Sequence, residues 1–253
     1  MAWIRVFLLV FIVLLPLASS AKEVRACIID SYGIRVTNYV RERLEELLKR
    51  KYTLVSYSRK SCDVKVLLGT PAVVRALKEG EKGRVIYTFV MFPELLRLEK
   101  KKNFIGIRIF PLPKRTAEKF FTYTGLERKK IAVPISKDMV KLAKRYLPPD
   151  LFDLVPFSGD VATVYPKLKD YSYVYVFPDP VVLRIVNMLN LVKFCKNSGI
   201  ILISGLPDLD RYDVNFIYAV DYNDLVDIIV ELINENPKER IIPCPARVKV
   251  WNR

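Results

Sequence analysis

Residues 65–77, KVLLGTPAVVRAL, place a glycine, a hydroxyl and a proline where an apolar run gives way to a helical pattern. Such a junction can hold an anion or a carbonyl group. Gly69 allows close backbone approach, Thr70 is a good N-cap, and Pro71 suits the first helical position. The free N–H groups of the helix start would then face the ligand. The same residues also make a tidy helix start with no ligand at all.

Similar chemistry recurs at other junctions: Asp30-Ser31-Tyr32-Gly33, Val90-Met91-Phe92-Pro93, Ser136-Lys137-Asp138, Ser158-Gly159-Asp160, Phe177-Pro178-Asp179-Pro180, Ser204-Gly205 and Asp221-Tyr222. Helix capping explains each one singly; together they suggest strand ends converging on one cleft. The candidate ligand contacts are Ser31, Tyr32, Gly69, Thr70, Pro71, Phe89, Met91, Ser136, Asp179 and Gly205.

Catalysis has little to work with. There is no histidine, which removes Ser-His-Asp and Cys-His constellations and the usual base near neutral pH. No S-x-x-K spacing occurs after residue 21. Asp208, Asp210 and Asp213, in LPDLDRYD, lack the glycine and terminal glutamate of a calcium loop and read as a solvated loop. No catalytic residue, metal or cofactor is expected. The four cysteines, Cys27, Cys62, Cys195 and Cys244, show no CxxC. Their even number permits Cys27–Cys62 and Cys195–Cys244 bridges in an oxidising compartment. Yet Cys27 and Cys195 sit in apolar patterns, where a free buried thiol is the commoner outcome.

The elements that would position these residues alternate along the chain. Strand-like runs are read at 24–30, 52–57, 64–68, 84–90 and 104–109, with helical segments at 34–50, 71–79, 93–101 and 114–125. From residue 130 the alternation restarts: strands at 131–135, 154–157, 173–177, 200–203 and 216–220, helices at 137–145, 161–169, 181–197 and 223–234, and a last strand at 247–251. The runs VLL, IYTFV, VYVF and IILI lack polar alternation, as parallel strands buried on both faces do. The expected fold is therefore α/β, with two doubly wound parallel-sheet lobes and a cleft between them. Residues 22–125 would form the first lobe and 126–221 the second; 222–253 would supply a returning helix and terminal strand near the hinge. Only five residues, SRKSC, lie between Tyr57 at the end of one run and Asp63 just before the next, too few for an ordinary parallel crossover.

Residues 1–21 read as a secretory signal peptide: Arg5, an apolar stretch, then Ser19-Ser20-Ala21. An exported, periplasmic protein is expected. The net charge is +15, but the basic triplets 49–51, 100–102 and 128–130 fall at or near the ends of helical segments, where cations complement the helix dipole. Nucleic acid is not an expected partner.

At the junction residues the chain resembles a known family, the solute-binding proteins of one class of ABC importers. These are type I periplasmic binding proteins related to tryptophan/tyrosine-type receptors. Their G-T-P-A is met by Gly69-Thr70-Pro71-Ala72, and a strand written roughly V-F-T-A-V-S-D-P by residues 85–93. Asn103-Phe104-Ile105-Gly106 answers N-V-T-G, Asp179-Pro180 answers a D-P after a strand, and Ala219-Val220-Asp221-Tyr222 also has a counterpart. The resemblance implies a monomeric bilobed clamp, hinged where two or three strands cross between lobes. It would close on a small molecule, often an amino acid or similar solute, and deliver it to a membrane permease. One departure stands out: Met91-Phe92 replaces the family's Ser-Asp, removing a natural partner for an ammonium group. Either the solute is more apolar, or the protein is a periplasmic interaction or sensor protein that has lost solute transport.

Overall fold

The runs without polar alternation form the centres of two sheets, since strands covered by helices on both sides present no face to water. The computed structural model describes residues 24–50, 52–54, 62–235 and 237–252. The expected leader at 1–21 and the tight connection at 55–61 lie outside the described residues. The first sheet contains β1 (Arg25–Asp30), β2 (Thr53–Leu54), β3 (Val64–Leu68), β4 (Arg84–Thr88) and β5 (Phe104–Ile107). The second contains β6 (Ile131–Ser136), β7 (Phe152–Phe157), β8 (Tyr173–Val176), β9 (Ile201–Ser204) and β10 (Phe216–Val220). Late in the chain β11 (Ile241–Ile242) extends the first sheet and β12 (Ala246–Trp251) the second, giving orders β11-β5-β4-β3-β1-β2 and β12-β10-β9-β8-β6-β7. Among the described residues every pairing is parallel except β10 with β12. The doubly wound α/β architecture read from the sequence is the one observed.

Each sheet is covered on both faces. In the first lobe, α1 (Arg35–Leu48) and α7 (Tyr222–Asn234) lie on one side, their Val40, Leu44, Leu225 and Ile229 packing with Val66, Leu68 and Ile86. On the other side α2 (Thr70–Lys78) brings Val73 and Ala76 against Leu67, Val85 and Tyr87. Lys65 shares that second face; it is buried and paired with Glu81. Burial alone would raise the Glu81 carboxyl, but Lys65 and the Gly83 N–H hold it below its ordinary value.

In the second lobe, α6 (Ile185–Asn197) covers one face through Met188, Leu191 and Cys195. The helix read over 181–197 thus begins only at Ile185. The segments read as helices at 137–145 and 161–169 are short 3-10 turns running into one-turn helices, α4 (Val140–Ala143) and α5 (Tyr165–Leu168). The opposite face is covered by α3 (Pro113–Thr124), whose Ala117, Phe120 and Phe121 pack with Ile131, Tyr173 and Phe216. Gly125 ends α3 at φ 68, its N–H reaching the Phe121 carbonyl, as expected of a left-handed cap.

The expected lobe boundary at residue 125 therefore falls at the end of a helix that packs on the second sheet. The chain passes between lobes at 108–112, at Asp221 and at 243–245. Each passage is a short loop rather than a continuous strand.

Cys27 and Cys62 form a disulfide, with Cα atoms 5.8 Å apart, while Cys195 and Cys244 are free and buried. The apolar surroundings of Cys27 had favoured a free thiol. Pairing of β1 with β3 brings Cys62, just before β3, within bonding reach instead. Burial pushes the Cys195 thiol up to about 12.

Candidate functional site

In doubly wound sheets, ligands gather beyond the carboxyl ends of the strands where the winding reverses. Here those points lie between β1 and β3 and between β6 and β8. Both are closed by the protein's own oxygen atoms.

At the first, Asp30 shapes the loop. Its Oδ1 accepts the N–H groups of Tyr32 and Gly33 at 2.9 and 3.1 Å, and its Oδ2 accepts the Thr37 hydroxyl at 2.7 Å. That turn lays Tyr32 over Gly69, and the Tyr32 hydroxyl accepts the Thr70 N–H at 3.2 Å. Gly69 sits at φ 109, ψ 153 and is itself the residue preceding α2; a Cβ on it would lie 2.5 Å from Ser31 Oγ and 2.9 Å from the Tyr32 ring. Only glycine fits there. Ser31 Oγ in turn donates to the Leu68 carbonyl at 2.9 Å. Thr70, expected as the N-cap, is instead the first helical residue, and the helix start has no side-chain cap bond. Thr70→Ala is accordingly expected to change stability by under about 0.5 kcal/mol, against about 1 kcal/mol for loss of a true cap. Urea melts of the two proteins decide between these values.

At the second point, Asp179 is fully buried. Its Oδ2 accepts both the N–H and the hydroxyl of Ser136 at 2.7 Å, and its Oδ1 accepts the N–H groups of Val181 and Val182 at 2.7 and 3.3 Å. This carboxylate ties the end of β6 to the turn after β8. Gly205 is buried beneath Pro111 and the Tyr175 hydroxyl. Asp179, Ser136 and Gly205 face the protein itself, and none of the three lines the open pocket described below.

The Met91-Phe92 pair explains part of the cleft's shape. Phe92 stacks on Phe177 of the second lobe at 5.9 Å and touches Tyr146 at 5.3 Å and Phe110 edge-on at 5.8 Å. Beside it Glu94 accepts the Tyr146 hydroxyl at 2.6 Å and pairs with Arg108. Burial would raise the Glu94 carboxyl, but Arg108 and Tyr146 hold it below the ordinary range. One end of the cleft is thus filled by aromatic contacts and a carboxylate-to-phenol hydrogen bond between lobes.

The rest remains open. A cavity of about 400 Å³ lies between the lobes, walled by Tyr32, Phe89, Met91 and Ile109 on one side and Leu183, Leu206, Leu209 and Tyr212 on the other, with Tyr222 at the crossing. Such a volume suits one small organic molecule. Phe89 is held at φ 58, a conformation costly for a bulky residue, and its ring stacks with Tyr222 at 6.2 Å. Outside the cavity runs a shallower groove lined by Ile34, Arg35, Tyr39, Asp208 and Arg211. Of the sequence-based candidates, Tyr32, Phe89 and Met91 line the cavity; Ser31, Gly69 and Thr70 lie behind Tyr32, and Pro71 is exposed.

Solved structures with this arrangement are known. A ligand-free, open substrate-binding protein with adhesive properties from Clostridium difficile matches with a TM-score of 0.68 at 14% identity, over 88% of this chain and 90% of its own. A conserved domain protein from Vibrio cholerae matches at 0.58 and 13% identity, over 90% and 92%. The fold is that of a two-lobed periplasmic binding protein. An ABC domain from Streptococcus pneumonia in complex with L-Trp is a further neighbour at 0.54 and 12% identity, over 88% and 90%. No protein-family model matches the chain, and no curated sequence does.

Within this periplasmic-binding-protein fold the sequence reading missed the turn Pro207–Tyr212, where Asp208 and Arg211 border the cavity. By its acidic spacing LPDLDRYD reads as a solvated loop, whereas the informative signal was its apolar Leu206 and Leu209 beside a lone arginine.

Proposed function

We propose that this is an exported receptor that takes up one small, largely apolar solute between its lobes and presents it to the permease of an ABC importer. The carrying observation is the cavity walled by Tyr32, Phe89, Met91, Leu206 and Tyr222. Aromatic faces of this kind suit an amino acid with an apolar or aromatic side chain, or a similar molecule. The L-Trp held by one structural neighbour is consistent with that class. The Cys27–Cys62 bridge suits an oxidising compartment, as does a cleavable leader at 1–21.

Native mass spectrometry of protein recovered from the periplasm of an expression host tests the reading. Wild type is expected to retain a small molecule that Leu206→Trp, with its cavity filled, does not. An empty wild type, unmoved in melting temperature by a panel of amino acids and aromatic acids, would sink it. That result would favour the second reading, a periplasmic interaction or sensor protein. Two observations support this alternative. The Phe92–Phe177 and Glu94–Tyr146 contacts join the lobes directly. The α6 residues Ile185, Val186 and Leu189 are 63%, 67% and 52% exposed, a patch suited to a protein partner.

A further inference from the structure

A solute of this kind also has a polar end, which needs a partner of its own. The two positions best suited to an anion are already taken: Tyr32 occupies the helix start at Thr70, and the Asp179 carboxylate fills the N–H groups at Ser136 and Val181. The cavity's mouth is different. Arg35 stands at the start of α1 on the first lobe, and Arg211 lies on the Pro207–Tyr212 turn of the second; both line the groove that opens into the cavity. Neither guanidinium has a carboxylate partner among the described residues. Arg211 is steadied over the Tyr212 ring, 5.0 Å from its centroid. Among the described residues Asp208 is the one carboxylate on the same lining. It faces Tyr222, whose phenol is pushed up by burial and by that charge. Two unpaired guanidinium groups against one carboxylate, set beside low-dielectric walls, leave a field that favours a negative group.

We infer that the bound solute is an organic anion, with a flat aromatic or branched apolar body in the cavity and a carboxylate at its mouth between Arg35 and Arg211. This rests on the solute reading above. The guanidinium fork matches a carboxylate in geometry as well as charge. Because the two arginines belong to different lobes, one carboxylate bridges them, and the anion itself becomes part of the contact between lobes. An ammonium group at the same place would meet two like charges.

Isothermal titration of the full protein with four probes tests this: indolepropionate (anionic), indole (neutral), tryptamine (cationic) and L-tryptophan (zwitterionic). The expected order of affinity is indolepropionate, then L-tryptophan, then indole, with tryptamine weakest. Arg35→Gln and Arg211→Gln, both at exposed positions, are each expected to weaken indolepropionate about fivefold and leave indole unchanged. Thr70→Ala is expected to leave all four unchanged. Tryptamine binding as tightly as indolepropionate, or arginine variants with wild-type affinity for the anion, would overturn the inference while keeping the solute reading. A protein that binds none of the four loses the solute reading, and the inference with it.

Discussion

Asp179→Ala is expected to lose about 3–5 kcal/mol of folding stability, the scale of a broken buried network. Four donors converge on this carboxylate: the N–H and hydroxyl of Ser136 and the N–H groups of Val181 and Val182. Removing it leaves those groups buried without an acceptor, and a buried donor so abandoned is costly. Asp179→Asn should also be costly, because one end of its amide presents N–H groups to a site built only of donors. Urea unfolding measures the loss. A variant that unfolds within about 1 kcal/mol of wild type but no longer binds the solute would show the carboxylate to be a ligand contact.

The second large effect concerns the disulfide. Cys27 and Cys62 are 35 residues apart in sequence, and closing a loop of that size restrains the unfolded chain by about 4 kcal/mol in the chain-entropy view. The double variant Cys27→Ser, Cys62→Ser should lose about that much, with a melting temperature lower by about 10 °C for a chain of this length. Wild type under reducing conditions should behave alike. The bridge joins β1 to the chain entering β3, the pair on which Tyr32 and Gly69 depend. If the double variant melts with wild type, the bridge contributes nothing to stability.

How far the sequence foretold these features follows from the range of the forces involved. The buried strands were legible because VLL, VYVF and IILI need only local pattern to be recognised. The strand ends were legible as polar junctions for the same reason. What closes them was not. Tyr32 reaches Thr70 across 38 positions, and Ser136 reaches Asp179 across 43; nothing in Gly-Thr-Pro-Ala announces a tyrosine already in place. Phe92 was recognised as a departure that removes a polar partner, but its packing on Phe177 is a tertiary matter. The cysteine pairing likewise waited on strand order, since β1 and β3 become neighbours only once the sheet is assembled. The two-residue strand Ile241–Ile242 escaped because so short a run has no periodicity to read.

The late return of the chain to the first sheet bears on biosynthesis. Leu225, Val226 and Ile229 complete the core over β3 and β4, and Ile241–Ile242 pairs with the edge of β5. A ribosome therefore delivers the amino-terminal half well before the pieces that seal it, and translocation across a membrane would expose that half, unfinished, for longest. Nascent chains halted near residue 221 should leave the earlier-made half open to proteases, while the later-made half lacks only an edge strand. For this topology, being translated first means being folded last.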